Sequence, residues 1–312
     1  MQYKVPMRDI EFVTNELLDF PAHYKKISRG ANADPELVSA ILTEAGKFAE
    51  EVIAPLNQSG DAQGCQFVDG NVITPDGFKE AFSQYTENGW PSLASPEAYG
   101  GQELPPSLSQ LTFEMFCSAN HAWTMCPGLS LGAVDTLLAH SSDELKNLFL
   151  PNMVAGTWTG TMCLTESHCG SDLGLLRTKA EPLADGSYAI SGSKIFISSG
   201  DHDMAENIVH IVLARLPGAP AGVGGISLFV VPKHKANADG SVGEFNQVST
   251  GSIEEKMGIH GNSTCVLNFD GAKGFLIGEE NKGLACMFTF MNTARLGTAI
   301  QGLAHGELAY QG

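Results

Sequence analysis

The chain has 312 residues, with 18 lysines and arginines against 35 aspartates and glutamates, a formal net charge of −17. That acidic excess excludes a broadly basic groove tracking nucleic-acid phosphates, because such binding depends on cations that neutralise backbone charge. With 43% hydrophobic and 17% charged residues the chain is not mainly disordered, and its length allows about two domains.

No run approaches the roughly 20 apolar residues of a bilayer-spanning helix, and charges fill the N-terminus where a signal peptide has its apolar stretch. The expectation is a soluble cytoplasmic protein with neither a membrane nor a nucleic-acid partner. The cysteines, Cys65, Cys117, Cys126, Cys163, Cys169, Cys265 and Cys286, include no Cys-x-x-Cys pair and read as reduced core residues rather than disulfides or zinc ligands.

Residues 1 to about 155 read as helices. Asp34-Pro35-Glu36 is an N-cap, an N1 proline and a first-turn acid, and Leu37, Ile41, Ala45, Phe48 and Val52 follow at helical spacing to about Pro55. Thr74-Pro75-Asp76 opens a second helix that Gly89 closes. A third covers Leu108 to Asn120 and a fourth Leu129 to Ala139. Ser141 with Glu144 forms a capping box for a short helix ended by Pro151. From about Thr178 the pattern changes to strands: Tyr188–Ser191, Lys194–Ser198, Ile208–Leu213, Ile226–Val231 and Cys265–Phe269, with Asp185-Gly186 as a hairpin signal. From Gly283 a helical period returns through Met287, Phe290, Met291, Ala294, Ala299 and Leu303 and still runs at Gly312. The fold class is α+β multidomain: an N-terminal helical domain over 1–158, a central β-barrel-like domain over 159–274, and over 275–312 the start of a C-terminal helical bundle whose remainder is expected beyond this chain.

Gly128-Leu-Ser130-Leu-Gly132, followed by Asp135 and His140, matches the Gly-x-Ser-x-Gly nucleophile elbow. That elbow requires a strand before the serine, and helix precedes it here, so the glycines read as helix contacts. Gly222-Val-Gly224-Gly225 lacks the third glycine of a dinucleotide fingerprint. His202, Asp203 and His210 have no compact ligand spacing, so no metal site is expected.

Met162-Cys163-Leu164-Thr165-Glu166-Ser-His-Cys-Gly170-Ser171-Asp172 joins a short apolar strand to a turn rich in small and hydroxyl residues, a source of backbone N–H groups for a polar ligand. In Gly192-Ser-Lys194-Ile-Phe196-Ile197-Ser198, strand alternation sets Phe196 and Ser198 on one face, an aromatic beside a hydroxyl that suits a flat heterocycle.

Together these two segments resemble the acyl-CoA dehydrogenase family. The first is similar to its Thr-Glu…Gly-Ser-Asp signature at Cys163, Leu164, Thr165, Glu166, Gly170, Ser171 and Asp172. The second is similar to its Gly-x-Lys-x-Trp-Ile-Thr-x-Gly strand, with Phe196 for Trp and Ser198 for Thr. Leu150-Pro151, Lys256-Met257-Gly258-Ile259, Thr264, Gly278, Gly283 and Arg295 continue the match, and Tyr3-Lys4-Val5-Pro6-Met7-Arg8-Asp9 with Phe12 resembles a longer bacterial subgroup.

The resemblance implies a flavoprotein oxidoreductase of fatty-acid metabolism, taking FAD and a short or medium acyl-CoA, 3-(methylthio)propionyl-CoA among the candidates, with α,β-dehydrogenation and hydride transfer to the flavin. It implies electron-transfer flavoprotein or a similar acceptor and a homodimer or homotetramer. Met162, Cys163, Leu164, Thr165 and Gly170 correspond to flavin contacts, Phe196 covers the ring, Ile197 lies beside it and Ser198 sits near N5. Ser171 meets both flavin and the pantetheine arm, and Asn292 and Arg295 hold CoA. One branch of the family places its base just before the arginine matched by Arg295, but here Ala294 stands there. No catalytic residue is therefore assigned within 1–312, and the glutamate base is expected beyond Gly312. The alternatives are an acyl-CoA oxidase of the same fold, or a noncatalytic or DNA-associated member, the latter opposed by the net charge.

Overall fold

The computed structural model describes residues 3–312. Helix α1 (Met7–Glu11) continues into a π-helical stretch over Phe12–Leu17, and α2 covers Phe20–Tyr24. Helix α3 spans Pro35–Phe48 with the expected cap: the Asp34 carboxylate accepts from the N–H groups of Glu36 and Leu37 at 3.0 and 2.9 Å. After α4 (Leu56–Gln63) the chain departs from an all-helical reading, because β1 (Gln66–Val68) and β2 (Asn71–Ile73) form an antiparallel hairpin. Three-residue strands are too short to show a period. The turn carries its own signal, Asp69-Gly70, with φ of 51° and 80°.

Helix α5 begins at Phe78 rather than at Thr74, whose hydroxyl and N–H are both held by the Asp203 carboxylate at 2.6 and 3.1 Å. Gly89, at φ 74°, closes it as expected. Helix α6 covers Pro106–Ala119 and α7 His121–His140. The latter starts well before Leu129 because the Asn120 side chain caps it, accepting from Trp123 N–H, and Pro127 is carried inside. Helix α8 (Asp143–Ala155) is capped by Ser142 rather than Ser141 and runs through Pro151 to Gly156 at φ 80°. A proline there removes one helical hydrogen bond; burial of Phe149, Leu150, Met153 and Val154 on the same helix offsets it. Phe48, Phe82, Tyr85, Trp90, Phe116 and Trp123 fill the core of this half, with ring centroids 5.3 to 6.3 Å apart.

The remaining strands are β3 (Trp158–Cys163), β4 (Lys179–Pro182), β5 (Tyr188–Ser198), β6 (Asn207–Arg215), β7 (Ile226–Pro232), β8 (His234–Ala236), β9 (Val242–Phe245), β10 (Val248–Ile253) and β11 (Thr264–Ile277). Long β11 pairs with β5 over most of its length and with β7 at Phe275–Ile277, which closes the ring β11–β5–β4–β6–β7 into a small barrel. Strand β3 is added parallel to β6, and β10 lies on the other side of β11. The Asp185-Gly186 hairpin is present between β4 and β5. The two short strands read from Tyr188 and Lys194 are one continuous strand. Helix α9 (Gly283–Gln311) packs on α6, α7 and β7. It buries Met287 and Phe290 as expected, but Ala299 and Leu303 are exposed; in its second half Ala304 is the buried residue, on a different face. Among the described residues no helix is long and apolar enough to cross a membrane.

Candidate functional site

Strand β3 ends at Cys163, and the next residues are stapled to β5. Lys194 Nζ donates to Leu164 O at 3.0 Å, and Ile195 N–H donates to Thr165 O at 2.9 Å. The signature turn and the strand carrying Phe196 and Ser198 are thereby brought together. Lys194 is 0% exposed and forms an ion pair of 2.9 Å with Glu166, itself 5% exposed. The Glu166 carboxylate also accepts from Arg177 N–H at 2.8 Å and from the N–H and hydroxyl of Thr178 at 3.0 and 2.6 Å. Burial pushes this carboxyl upward, but the Lys194 charge and the hydrogen bonds outweigh it and hold it below its ordinary value. Burial lowers the Lys194 ammonium, against the opposing pull of Glu166. Backbone bonds between Glu166 and Cys169, 2.8 and 3.0 Å, tighten the turn that presents Gly170 and Ser171.

On β5 a bulge sets two residues, Ile195 and Phe196, against Val266, between the pairs Leu267 with Lys194 and Cys265 with Ile197. Phe196 takes φ 59° and is 58% exposed. Lys194 and Ile197 are buried, whereas Phe196 is exposed and Ser198 half-buried; the bulge breaks the strict alternation that would set Lys194 on the same side as Phe196 and Ser198. The side chains of Cys163 and Ile197 are buried, 0% and 2% exposed, so these two residues offer a ligand only backbone. Thr165 is half-buried and Ser171 exposed. Among the described residues the hydroxyls of Thr165, Ser171 and Ser198 take no protein partner. Met162 and Leu164 pack into the same apolar cluster as Met287, Phe290 and Met291 of α9, so that helix backs the strand leading to the signature turn. Asn292 and Arg295 meet each other, with Arg295 Nη1 donating to Asn292 Oδ1 at 2.8 Å and its guanidinium 5.3 Å from the Phe288 ring centroid. They make no hydrogen bond to the signature turn or to β5. Ala294, one residue before Arg295, carries no titratable group.

The motifs set aside in the sequence take structural roles. Ser130 donates to Cys126 O at 3.0 Å and accepts from Gly160 N–H at 3.0 Å, tying α7 to β3. A Cβ at Gly132 would lie 2.5 Å from the Phe290 ring, so this glycine is the close contact of α7 with α9. His202 and His210 are buried apart from each other's partners: His202 Nε2 meets Thr159 Oγ1 at 2.9 Å, and His210 Nδ1 meets Thr161 Oγ1 at 2.7 Å. Burial lowers them to about 4 and about 3. Glu166, His168 and Cys169 do converge, but the Glu166 oxygens are already committed to four donors, the Lys194 ammonium among them, which opposes a cation.

Sequence reasoning gave Lys194 and Glu166 no role. A lysine within an apolar strand and a glutamate in the facing turn are the signal that would have paired them. Arg215 carried no signal at all. Its guanidinium donates to Leu176 O, Gly174 O, Gly222 O and Pro220 O at 2.8, 2.7, 2.8 and 3.1 Å, locking the loop after Asp172 to the loop before β7.

Residues 36–157 match the acyl-CoA dehydrogenase N-terminal domain and residues 161–272 the acyl-CoA dehydrogenase middle domain. The 3-methylmercaptopropionyl-CoA dehydrogenase of Ruegeria pomeroyi is 43% identical over 100% of this chain and 53% of its own length. A butyryl-CoA dehydrogenase of Syntrophomonas wolfei is 41% identical over 96% of this chain and 51% of its own. The chain thus spans about half the length of the curated relatives it matches. Among solved structures, butyryl-CoA dehydrogenase from Megasphaera elsdenii superposes with TM-score 0.73 at 26% identity, covering 87% of this chain and 66% of that one. Acyl-CoA dehydrogenase complexed with FAD from Bacillus anthracis gives 0.71 at 25% identity, covering 86% and 43%. With the signature turn stapled to the aromatic strand and both domain families matched in order, the chain belongs to the acyl-CoA dehydrogenase family.

Proposed function

We propose that the protein carrying this chain is an FAD-dependent acyl-CoA dehydrogenase acting on a short or medium acyl-CoA thioester, with 3-(methylthio)propionyl-CoA the first candidate because the Ruegeria relative is named for that substrate class. The observation that carries the reading is the stapled edge itself. The exposed Phe196 ring and the unpartnered hydroxyls of Thr165, Ser171 and Ser198 stand together where Leu164 and Thr165 are fastened to β5. An aromatic face with hydroxyl donors at its rim fits the ring system of FAD. Bound FAD supplies a hydride acceptor for the acyl β-carbon.

The chain's own residues bind and orient. Thr165 and Ser198 offer hydrogen bonds to the flavin, with backbone from Met162, Cys163, Leu164, Gly170 and Ile197, and Phe196 covers the ring. Ser171 serves flavin and pantetheine together, and Asn292 and Arg295 hold CoA. No base for the α-proton is assigned within residues 1–312, and a carboxylate outside them completes the site. Electron-transfer flavoprotein or a related acceptor, a homodimer or homotetramer and a cytoplasmic location belong to the same proposal.

Anaerobic titration of the full-length protein with a panel of acyl-CoAs is the test. The expected result is yellow protein whose visible flavin absorption bleaches with a short acyl-CoA. Colourless folded protein after reconstitution, or no bleaching with any thioester, overturns the reading. Arg295→Ala is expected to weaken acyl-CoA binding by about 1.5–3 kcal/mol while FAD is retained, the range for a hydrogen bond to a charged group.

A further inference from the structure

Two non-glycine residues beyond Phe196 hold positive φ close to the proposed flavin edge: Ser199 at 50° and Ile259 at 47°. For a β-branched side chain this conformation is a genuine outlier, and it persists only where the surroundings impose it. The surroundings here are specific. Residues 259–262 are clamped to the end of α4 and the start of β1: His260 N–H donates to Asp61 Oδ1 at 3.1 Å, Cys65 N–H donates to His260 O at 2.9 Å, and the Cys65 thiol donates to Gly261 O at 3.2 Å. Asn262 N–H closes the turn onto Ile259 O at 3.0 Å. The Asn262 side chain, 4% exposed, donates from Nδ2 to Ser199 Oγ at 2.7 Å, while Ser199 N–H donates to Ser263 O at 2.8 Å. Ser199 follows Ser198 directly, and Ser198 pairs with Thr264. A continuous covalent and hydrogen-bonded path therefore runs from the helical half, through the strained Ile259 turn and the Asn262 amide, to the residue next to Ser198.

We infer that Asn262 is a positioning residue for the flavin edge. With Ile259 it fixes the left-handed kink at Ser199, and so sets the direction in which the Ser198 hydroxyl is presented. The Asn262 Oδ1 is buried without a protein partner, and Asn262 also lines a polar cavity of about 320 Å³ together with Asp61, Cys65, Lys256, His260 and Ser263. An amide that served core packing alone would be better replaced by an apolar side chain than buried with an unsatisfied oxygen. Retaining it beside an outlying backbone fits a role in aiming rather than in stability.

The inference rests on the flavin reading above, and its test separates the two. In the full-length protein, FAD dissociation, flavin midpoint potential and thermal unfolding are measured for the wild type, Asn262→Ala and Ile259→Gly. Asn262→Ala is expected to release FAD about tenfold more readily, as for one lost buried hydrogen bond, and to shift the visible flavin band and the potential. Ile259→Gly relieves the backbone strain, so it is expected to unfold at the same or a higher temperature and yet to loosen FAD several-fold. That opposition of signs is what a merely structural role would not produce. Retention of FAD and potential within about twofold of wild type in both variants overturns the inference, as does FAD loss that simply tracks a lowered unfolding temperature. Failure of the wild type itself to hold FAD overturns the flavin reading instead, and the inference falls with it.

Discussion

Around Trp123 the helical half packs five buried aromatic rings and the half-buried Tyr85 against one another, whereas the region joining β3, β5 and β6 buries Lys194, Glu166, Asp201, His202 and His210. The first core is built from non-directional contact, which tolerates small shifts of a helix along its neighbour. The second is built from directed bonds. Glu166 takes four donors, and Asp201 takes the Lys233 ammonium together with Thr250 Oγ1 at 2.8 Å. The loop from Leu164 to Asp172 buries Cys169 but leaves Thr165 half-buried and Gly170 and Ser171 exposed, and charged and polar groups hold it from beneath. The difference teaches that stability and site geometry are supplied by different chemistry in this molecule, and the two can be perturbed separately.

The sharpest break in that contrast is Lys194→Met. It leaves Glu166 buried without its counter-charge, and a loss of about 3–5 kcal/mol is expected in urea unfolding. Adding Glu166→Leu should recover much of the loss, because the cost lies in the uncompensated charge. A double variant as unstable as the single one would show that the site is held by packing after all. On the helical side Gly132→Ala forces a methyl to within 2.5 Å of the buried Phe290 ring, with an expected cost of about 1–3 kcal/mol. Phe290→Leu in the same chain should relieve part of it, since only volume is at issue.

Acid sharpens the comparison further. His202 and His210 have folded values of about 4 and about 3 against an ordinary 6.5, lowered first by burial. Above 6.5 both states carry neutral imidazoles. As pH falls below that value the unfolded chain gains protons that the folded barrel does not accept, so stability is lost progressively down to the folded values, by at most about 1.4 kcal/mol per pH unit for each histidine. Glu166, held low, acts in the same direction below the ordinary carboxyl range of 4.5. Measured between pH 7 and 4, His210→Leu should show a shallower dependence than the parent, and an unchanged slope would remove His210 from the account.

Much of this arrangement was legible in the chain. The Asp34 cap, the Asp185-Gly186 hairpin, the apolar runs of β6 and β7 and the α9 period as far as Phe290 depend on local backbone preference and on side-chain periodicity, which neighbouring residues alone express. The signature turn and the Phe196 strand were recognisable by their family motifs, because side-chain chemistry alone leaves a loop and a strand phenylalanine open to a core reading. The hairpin at 66–73 was not legible by period, and Pro127 and Pro151 misplaced two helix boundaries because tertiary burial outweighs a proline's local penalty.

Local sequence, then, fixes the order of the helical and β-rich parts, the family signature at Cys163–Asp172 and Gly192–Ser198, and the absence of a proton acceptor at Ala294. Only the tertiary structure decided that Lys194 and Glu166 form the buried pair beneath those segments, that Arg215 locks the loop behind them, and that Ser130 is a clamp between α7 and β3 rather than a nucleophile. The physical reason is range. Periodicity and capping are set within a few residues, whereas the partners of a buried charge lie 28 positions away for Glu166 and Lys194 and 41 for Arg215 and Gly174, and only the assembled sheet and its loops bring them within hydrogen-bond reach.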